Sequence, residues 1–539
     1  MSKSIIEKIS NITVKQALAL ILVLGAILIG GYFYSSNKIP LISKTQTGEF
    51  LQEINSYPFA KQSEIVNLKN GDKYDLTASI VKKTINGAEV KMLAYNGSIP
   101  GPLIKVQQDA EVTINFKNET DVDSTLHSHG IRMDNKFDGV PDVTQEVVKP
   151  GESFTYKLKF PDVGIFWYHP HVREDYAQEH GLYGNFLVTP NTPDYWAEVD
   201  REEALFLDDV LMTNGQIAPF SPTIVNYTLM GRFGNVMLVN GSDNYKLNVK
   251  QGERVRFYLT NSANTRVFNI SIPNAQMRLV GADNGKYERE DWVDSVILGP
   301  SERQIVEVWF DKSGNYEIDH KTPDKTYAMG IINVEPSSDT ISYLLVPRIN
   351  QDVTDALLTL RPLFSKTPDK TLNLTLDAMG SMMGGSGGHM MPDGTMMGGN
   401  MMMGDDNEPI EWEDTMSMMN SMATNKSLKW KLVDNDTKKE NMDINWQFKR
   451  GDKVKIKIFN DPKSEHPMQH PIHIHGQKFL ILNTNGISNS NFVWKDTTLV
   501  KNGDTQELLV DMDNPGDWVI HCHIPEHMEA GMMSEFKVI

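Results

Sequence analysis

The stretch VQQDAEVTINFKN, residues 106 to 118, recurs twice further along the chain, as VKQGERVRFYLTN at 249 to 261 and FKRGDKVKIKIFN at 448 to 460. Each copy opens on an apolar residue and closes on asparagine. Val112, Ile114 and Phe116 match Val255, Phe257 and Leu259 in the second copy and Val454, Ile456 and Ile458 in the third. A spacing of two predicts a strand with one face buried, because successive side chains of a strand point to opposite faces. A second marker follows each copy: KPGESFTYKLKF from Lys149, GPSERQIVEVWF from Gly299 and KNGDTQELLVDM from Lys501, each a turn leading into another alternating strand. A third marker closes each unit: GIFWYHPH from Gly164, GNYEIDHK from Gly314 and GDWVIHCH from Gly516. Markers kept in one order in three copies establish an internal repeat. Units of about 130 to 190 residues, rich in short strands and Gly/Pro turns and poor in helix, predict an all-β chain of three consecutive antiparallel β-sandwiches.

At 539 residues the chain has room for several hydrophobic cores. With 40% hydrophobic and 23% charged residues it has ordinary globular proportions, not those of a disordered chain. A formal net charge of -18 argues against nucleic acid as a partner, because that contact needs clustered Lys and Arg. Cationic or neutral substrates are easier to accommodate. Lys3, Lys8 and Lys15 precede ALALILVLGAILIGGYFY, from Ala17 to Tyr34, which is about the minimum length for a bilayer span. No clear AxA cleavage site follows it, so the segment reads as an uncleaved membrane anchor in preference to a removed signal. The rest of the chain is then expected outside the cytoplasm, periplasmic or at the cell surface, or secreted if the segment is cleaved. Cys522 is the only cysteine, so no internal disulfide supports the fold.

The three units differ in chemistry. In the closing marker the third has His521, Cys522 and His523, the first His169, Pro170 and His171, and the middle Asp319, His320 and Lys321. His320 therefore reads as an ordinary strand histidine. Ten of the fourteen histidines fall in four clusters: HSHG at 127 to 130, HPH at 169 to 171, HPIHIHG at 470 to 476, and HCHIPEH at 521 to 527. On a strand, positions i and i+2 share a face, so each HxH presents two imidazoles side by side. Four such pairs make eight imidazoles, more than one tetrahedral ion can use. His521 and His523 face that cluster, so Cys522 faces the other side of its strand, where His470, His527 and Met532 are available. Two histidines, a cysteine and a weak axial methionine form the ligand set of a blue copper electron-transfer centre.

The four clusters in this order resemble those of the multicopper oxidases, the laccase-like family built from three cupredoxin domains, over roughly residues 85 to 539. YNGSIPGPL from Tyr95 and GLYG from Gly181 add the family's first-domain signature. The resemblance implies cupredoxin-like Greek-key domains at 59–193, 194–345 (without copper ligands) and 346–539, after an anchor or signal at 1–34 and a linker at 35–58. It implies four copper ions. The type 1 copper would take His470, Cys522, His527 and Met532, and the type 2 copper His127 and His473. The type 3 pair would take His129, His169 and His523 on one side, and His171, His475 and His521 on the other. Those three coppers reduce dioxygen to water, with electrons passing along the backbone between Cys522 and its flanking histidines. Asp138, in FDGVP, matches an acid that supplies protons to the cluster. Two departures stand out: Met528 follows His527 where many bacterial relatives carry Glu, and Ser128 stands where Trp is common.

Fourteen of the 28 methionines lie between 379 and 422, in MGSMMGGSGGHMMPDGTMMGGNMMMG and MSMMNSM. The Gly-rich spacing predicts a surface loop in place of a packed core. Thioethers are soft ligands that select Cu(I), and a similar insert occurs in bacterial cuprous oxidases. Met382, Met383, Met390, Met391, Met396, Met397, Met401, Met402 and Met403 are accordingly candidate ligands for substrate Cu(I). The expected function is Cu(I) oxidation in copper detoxification by a monomer, with dioxygen as acceptor. A laccase of phenols, or an Fe(II) or Mn(II) oxidase, is the alternative enzyme. A copper-binding buffer or scaffold without turnover is the alternative of another class.

Overall fold

The computed structural model describes residues 54–338, 346–378 and 409–539. The apolar run at 17–34 and the methionines from 379 to 403 lie outside the described residues. Among the described residues no helix is long and apolar enough to cross a membrane. Tyr57–Ile539 make one unit of structure, and within it the repeat is visible as topology.

Three β-sandwiches follow one another. The copied stretches become the strands Glu111–Glu119, Arg254–Asn261 and Asp452–Asn460. Each pairs antiparallel with the strand of its second marker, Ser153–Lys159, Arg303–Trp309 and Thr505–Met512 respectively. The third markers, Gly164–His169, Gly314–Lys321 and Gly516–Cys522, lie in the opposite sheet of each sandwich. There they pair antiparallel with His127–His129, Phe268–Ser271 and His470–Ile474. Cores of apolar side chains from facing sheets close the second and third sandwiches.

The closing asparagine of each copy does the same work in all three. Asn118 Nδ2 donates to the carbonyls of Val122 and Val148, Asn261 Nδ2 to those of Arg266 and Leu298, and Asn460 Nδ2 to those of Met468 and Val500. Val148, Leu298 and Val500 each immediately precede the second marker. A fully buried carboxamide that satisfies two carbonyls ties the end of one strand to the entry of its partner.

The sandwiches are not purely antiparallel. Lys73–Ile85, Arg201–Val210 and Lys370–Ala378 each run parallel to the copied strand of their own unit. Parallel neighbours need a crossover connection, and a Greek-key chain that changes sheets between two strands supplies one. Nor is the middle copy half-buried: every residue of Arg254–Asn261 is buried. Its outward Tyr258 packs with Ile165 and Leu187 of the first sandwich, and Arg256 donates to Ala197 O and pairs with Glu202 and Glu307. Its second face is covered by a neighbouring sandwich, which a local period of two does not encode.

The end of the methionine-rich insert is also packed. Ser417–Met422 is a short helix, with Met416 and Met419 against the core of the third sandwich. Asn420 fixes it by donating to Gly231 O at 2.8 Å and accepting the Met230 N–H at 3.0 Å. Glycine is absent from 409 to 422, and apolar residues three apart share a helix face.

Gly476, which ends HPIHIHG, has φ +63°, and a Cβ there would stand 2.4 Å from the buried Trp518 ring. Gly476→Ala is expected to destabilise the metal-free protein by about 2–4 kcal/mol in urea unfolding, from left-handed strain plus overpacking. An unchanged midpoint would contradict this contact.

Candidate functional site

Two antiparallel strand pairs bring the histidines together. In the first sandwich His127 stands opposite His169. In the third, His473 stands opposite His521 and Ile472 opposite Cys522. The ladder extends past the strand ends, with His475 N–H donating to Val519 O and His523 N–H to Pro471 O. All eight imidazoles of the HxH pairs are buried. His129 stacks on His473 with centroids 3.6 Å apart, and His127 lies 4.2 Å from His475. His521 lies 5.3 Å from His171 and 5.1 Å from His475, while His523 lies 5.1 Å from both His129 and His169.

Donor atoms of His171, His475 and His521 fall within 4.8 Å of one another, as do those of His127, His473 and His475, and those of His127, His129 and His169. The structure thus gathers one expected trio whole, puts His127 and His473 in one group, and joins His129 to His169 with the His523 ring beside both.

Hydrogen bonds at the far side of four of the rings decide which nitrogen points inward. His127 Nδ1 bonds Asp138 O at 2.7 Å, His473 Nδ1 bonds Asp496 O at 2.8 Å, and His169 Nδ1 bonds Pro170 O at 2.9 Å. These carbonyls accept, so Nδ1 carries the proton and Nε2 its lone pair. His129 is turned the other way: its Nε2 lies 3.0 Å from Asp496 Oδ1 and 2.9 Å from Thr497 Oγ1. The inward atoms, Nε2 of His127, His169, His171 and His473 and Nδ1 of His129, are buried with no hydrogen-bond partner among the described residues. Such atoms cost free energy unless a further group satisfies them. Converging imidazole lone pairs are suited to soft or borderline transition metals. Burial, reinforced by neighbouring rings, lowers His129, His169, His171, His473, His475 and His523 well below the usual range, and burial takes His521 to about 4. These seven rings are neutral at neutral pH, the form that ligates.

On the opposite face of the Gly516–Cys522 strand, Cys522 Sγ lies 3.5 Å from His470 Nδ1 and 3.8 Å from His527 Nδ1, with those two nitrogens 3.3 Å apart. Burial pushes the Cys522 thiol well up. A metal ion at the three donors would displace that proton. The short helix Pro525–Glu529 swings His527 back over the strand. Met532 is fully buried, its N–H donating to His527 O and its carbonyl accepting the Cys522 N–H. Trp430 walls this site, its ring 4.3 Å from His527 and 4.8 Å from His470.

Asp138 is buried with Oδ2 2.9 Å from His475 Nδ1. Near His171 the carboxylate is Glu174, 3.4 Å from Nδ1 and fully buried. Burial and then Glu529, Asp175 and Glu526 hold Glu174 well above the usual range. Glu529 is raised to about 7 by burial and Asp175. Ser128 is buried, and the aromatic wall comes instead from Trp167, stacked 4.0 Å from His169. His320 accepts the Asn269 N–H and stacks on Tyr327. Sequence reasoning missed Trp430, Glu174, Asp496 and Thr497; only the placement of Asp496 and Thr497 at the start of the strand Thr497–Val500 gives a local cue, and it is not specific.

Three family models described as multicopper oxidase match the chain, at residues 78–193, 167–337 and 409–539. The multicopper oxidase mco of Staphylococcus aureus is 26% identical over 460 residues, covering 83% of each chain. Copper resistance protein A of Escherichia coli is 24% identical, covering 87% of this chain and 93% of its own. A solved laccase-like multi-copper oxidase from Ochrobactrum sp. superposes with a TM-score of 0.67 at 21% identity, covering 89% of this chain and all of its own.

A ligand that binds only the folded state stabilises it by about 2.7 kcal/mol at a hundredfold excess over Kd. Copper added to the metal-free protein is therefore expected to raise its thermal midpoint, and a chelator to reverse the rise. A midpoint indifferent to copper would contradict the reading of the unpartnered nitrogens.

Proposed function

Because the chain belongs to the multicopper oxidase family, we propose that it couples oxidation of Cu(I) to reduction of dioxygen to water, as a copper-detoxifying enzyme outside the cytoplasm. Family membership makes it a copper-dependent oxidoreductase with oxygen as acceptor. The proposal assigns His470, Cys522, His527 and Met532 to a type 1 copper and His127 and His473 to a type 2 copper. It assigns His129, His169 and His523, and His171, His475 and His521, to a type 3 pair, four ions in all. Bound there, copper would supply one-electron acceptance at the cysteine and four-electron reduction of dioxygen at the histidine cluster. The chain contributes the rest: burial excludes bulk water, the carbonyls of Asp138, Pro170 and Asp496 orient rings, and covalent continuity from Cys522 to His521 and His523 joins the two sites.

Asp138 is assigned as a proton donor, since dioxygen reduction consumes protons and its carboxylate lies beside His475. The further assignments are a monomer, anchored through 17–34, with domains at 59–193, 194–345 and 346–539.

The observation that carries the cuprous substrate is the seat of the insert's end. Met416 and Met419 pack on the apolar core of the third sandwich, the core to which Cys522 and Met532 also belong, so the end of the methionine-rich segment is seated on the sandwich that carries the proposed electron-accepting site. Thioethers select Cu(I), and the net charge of -18 favours a cation. Deleting 379–408 spares that packed helix. The deletion is expected to slow oxygen uptake with Cu(I) about tenfold, equivalent to about 1.4 kcal/mol, and to leave Fe(II) and phenol oxidation unchanged. An unchanged Cu(I) rate would overturn the substrate and favour a laccase or another metal oxidase. No oxygen uptake with any reductant would favour a copper buffer.

Asp138→Asn is expected to slow turnover by a factor of about 10²–10⁴ while anaerobic reduction of the type 1 copper by Cu(I) keeps its rate. Equal loss in both steps would remove Asp138 from the proton route.

A further inference from the structure

The middle sandwich contributes none of the proposed ligands, yet one of its side chains ends beside the histidine cluster. Arg303 opens the strand Arg303–Trp309 and is fully buried. Its guanidinium grips Asp496 with two prongs, Nη1 to Oδ1 at 2.6 Å and Nη2 to Oδ2. Nη1 also donates to Ser301 O, and Nε donates to Ile165 O, both at 3.0 Å. Its backbone N–H donates to Asp283 Oδ1 at 2.9 Å, and Asp283 Oδ2 in turn accepts from Asp496 N–H at 3.3 Å. One side chain thus joins the Gly164–His169 strand of the first sandwich, the turn before its own strand, and Asp496 of the third.

Asp496 holds two rings of the cluster. Its Oδ1 lies 3.0 Å from His129 Nε2, and its backbone carbonyl accepts from His473 Nδ1 at 2.8 Å. Thr497 Oγ1 donates to the same Oδ1 at 2.9 Å, which fixes the carboxylate plane further. The glycine of HSHG makes room for the grip: at Gly130, with φ +80°, a Cβ would stand 2.2 Å from Asp496 Oδ2 and 3.0 Å from Arg303 Nη2.

We infer that Arg303 is a positioning residue for the cluster: by locking Asp496 it keeps His129 turned with Nδ1 inward and His473 with Nε2 inward. A two-pronged guanidinium–carboxylate bond fixes orientation as well as charge. Lysine, a point charge on a flexible stem, supplies only the charge. The inference rests on the assignment of copper to these histidines. It gives the ligand-free sandwich a part in the chemistry, since the grip on the first and third sandwiches is exerted from the second.

The test uses full-length, copper-loaded protein and three readouts. These are the type 2 electron paramagnetic resonance signal, chelator competition for the cluster coppers, and the blue band of the type 1 copper, whose ligands all lie in the third sandwich. Removing a group that orients a ligand typically weakens metal affinity about 10- to 100-fold. Arg303→Met is expected to show that loss for the cluster coppers, with an altered type 2 signal and the blue band retained. Arg303→Lys is expected to recover part of the affinity without the wild-type signal. Arg303→Met with wild-type cluster affinity and signal would overturn the inference. Should Arg303→Met lose the blue band as well, Asp496→Asn decides: cluster-selective loss supports the inference, and unchanged cluster spectra overturn it. A wild-type protein without type 2 signal would instead overturn the copper assignment.

Discussion

The structure depends on the alternation of side chains along one strand. In Gly516–Cys522 and the residue after it, His521 and His523 reach the histidine cluster, while Cys522 reaches His470 and His527 on the other face. A period of two allows no other arrangement. Two donor sets of different character are therefore covalent neighbours, and everything else must deliver partners to both faces at once. The paired strand His470–Ile474 does so in the same register, with His473 opposite His521 and Ile472 opposite Cys522.

Completing the cluster requires a second such edge, and the first sandwich supplies it with His127 opposite His169. Eight buried rings with inward lone pairs are costly unless each is oriented and its outer nitrogen satisfied. For His127, His169 and His473 the chain meets this with carbonyls from Asp138, Pro170 and Asp496, and for His475 and His129 with the Asp138 and Asp496 carboxylates. Acids also crowd the His171 side, where Glu526 is raised to about 8 chiefly by burial and then by Asp175. Met528 leaves no carboxylate at its own position, and Glu174 is the acid nearest His171 Nδ1.

Much of this was legible because it is local. Val112, Ile114 and Phe116 and their counterparts announced the strands, the HxH pairs announced shared faces, and the single cysteine between two histidines announced a second site. What stayed hidden depends on distance in the chain. Arg303 and Asp496 meet across 193 residues, Trp430 covers His470 and His527 from another strand, and the outer face of Arg254–Asn261 is buried by a neighbouring sandwich. None of these leaves a period or a motif. The helix at Ser417–Met422 was obscured by the glycine-rich run before it, although its own sequence carries no glycine.

The central claim is that one strand serves two separate copper centres, and Cys522→Ser tests it most directly. Copper content, visible absorption and electron paramagnetic resonance should be read on the loaded variant beside the wild type. The account predicts loss of the blue band and of its copper, with the type 2 signal and the cluster coppers kept. Loss of both centres together, or a blue band that survives the substitution, would contradict it.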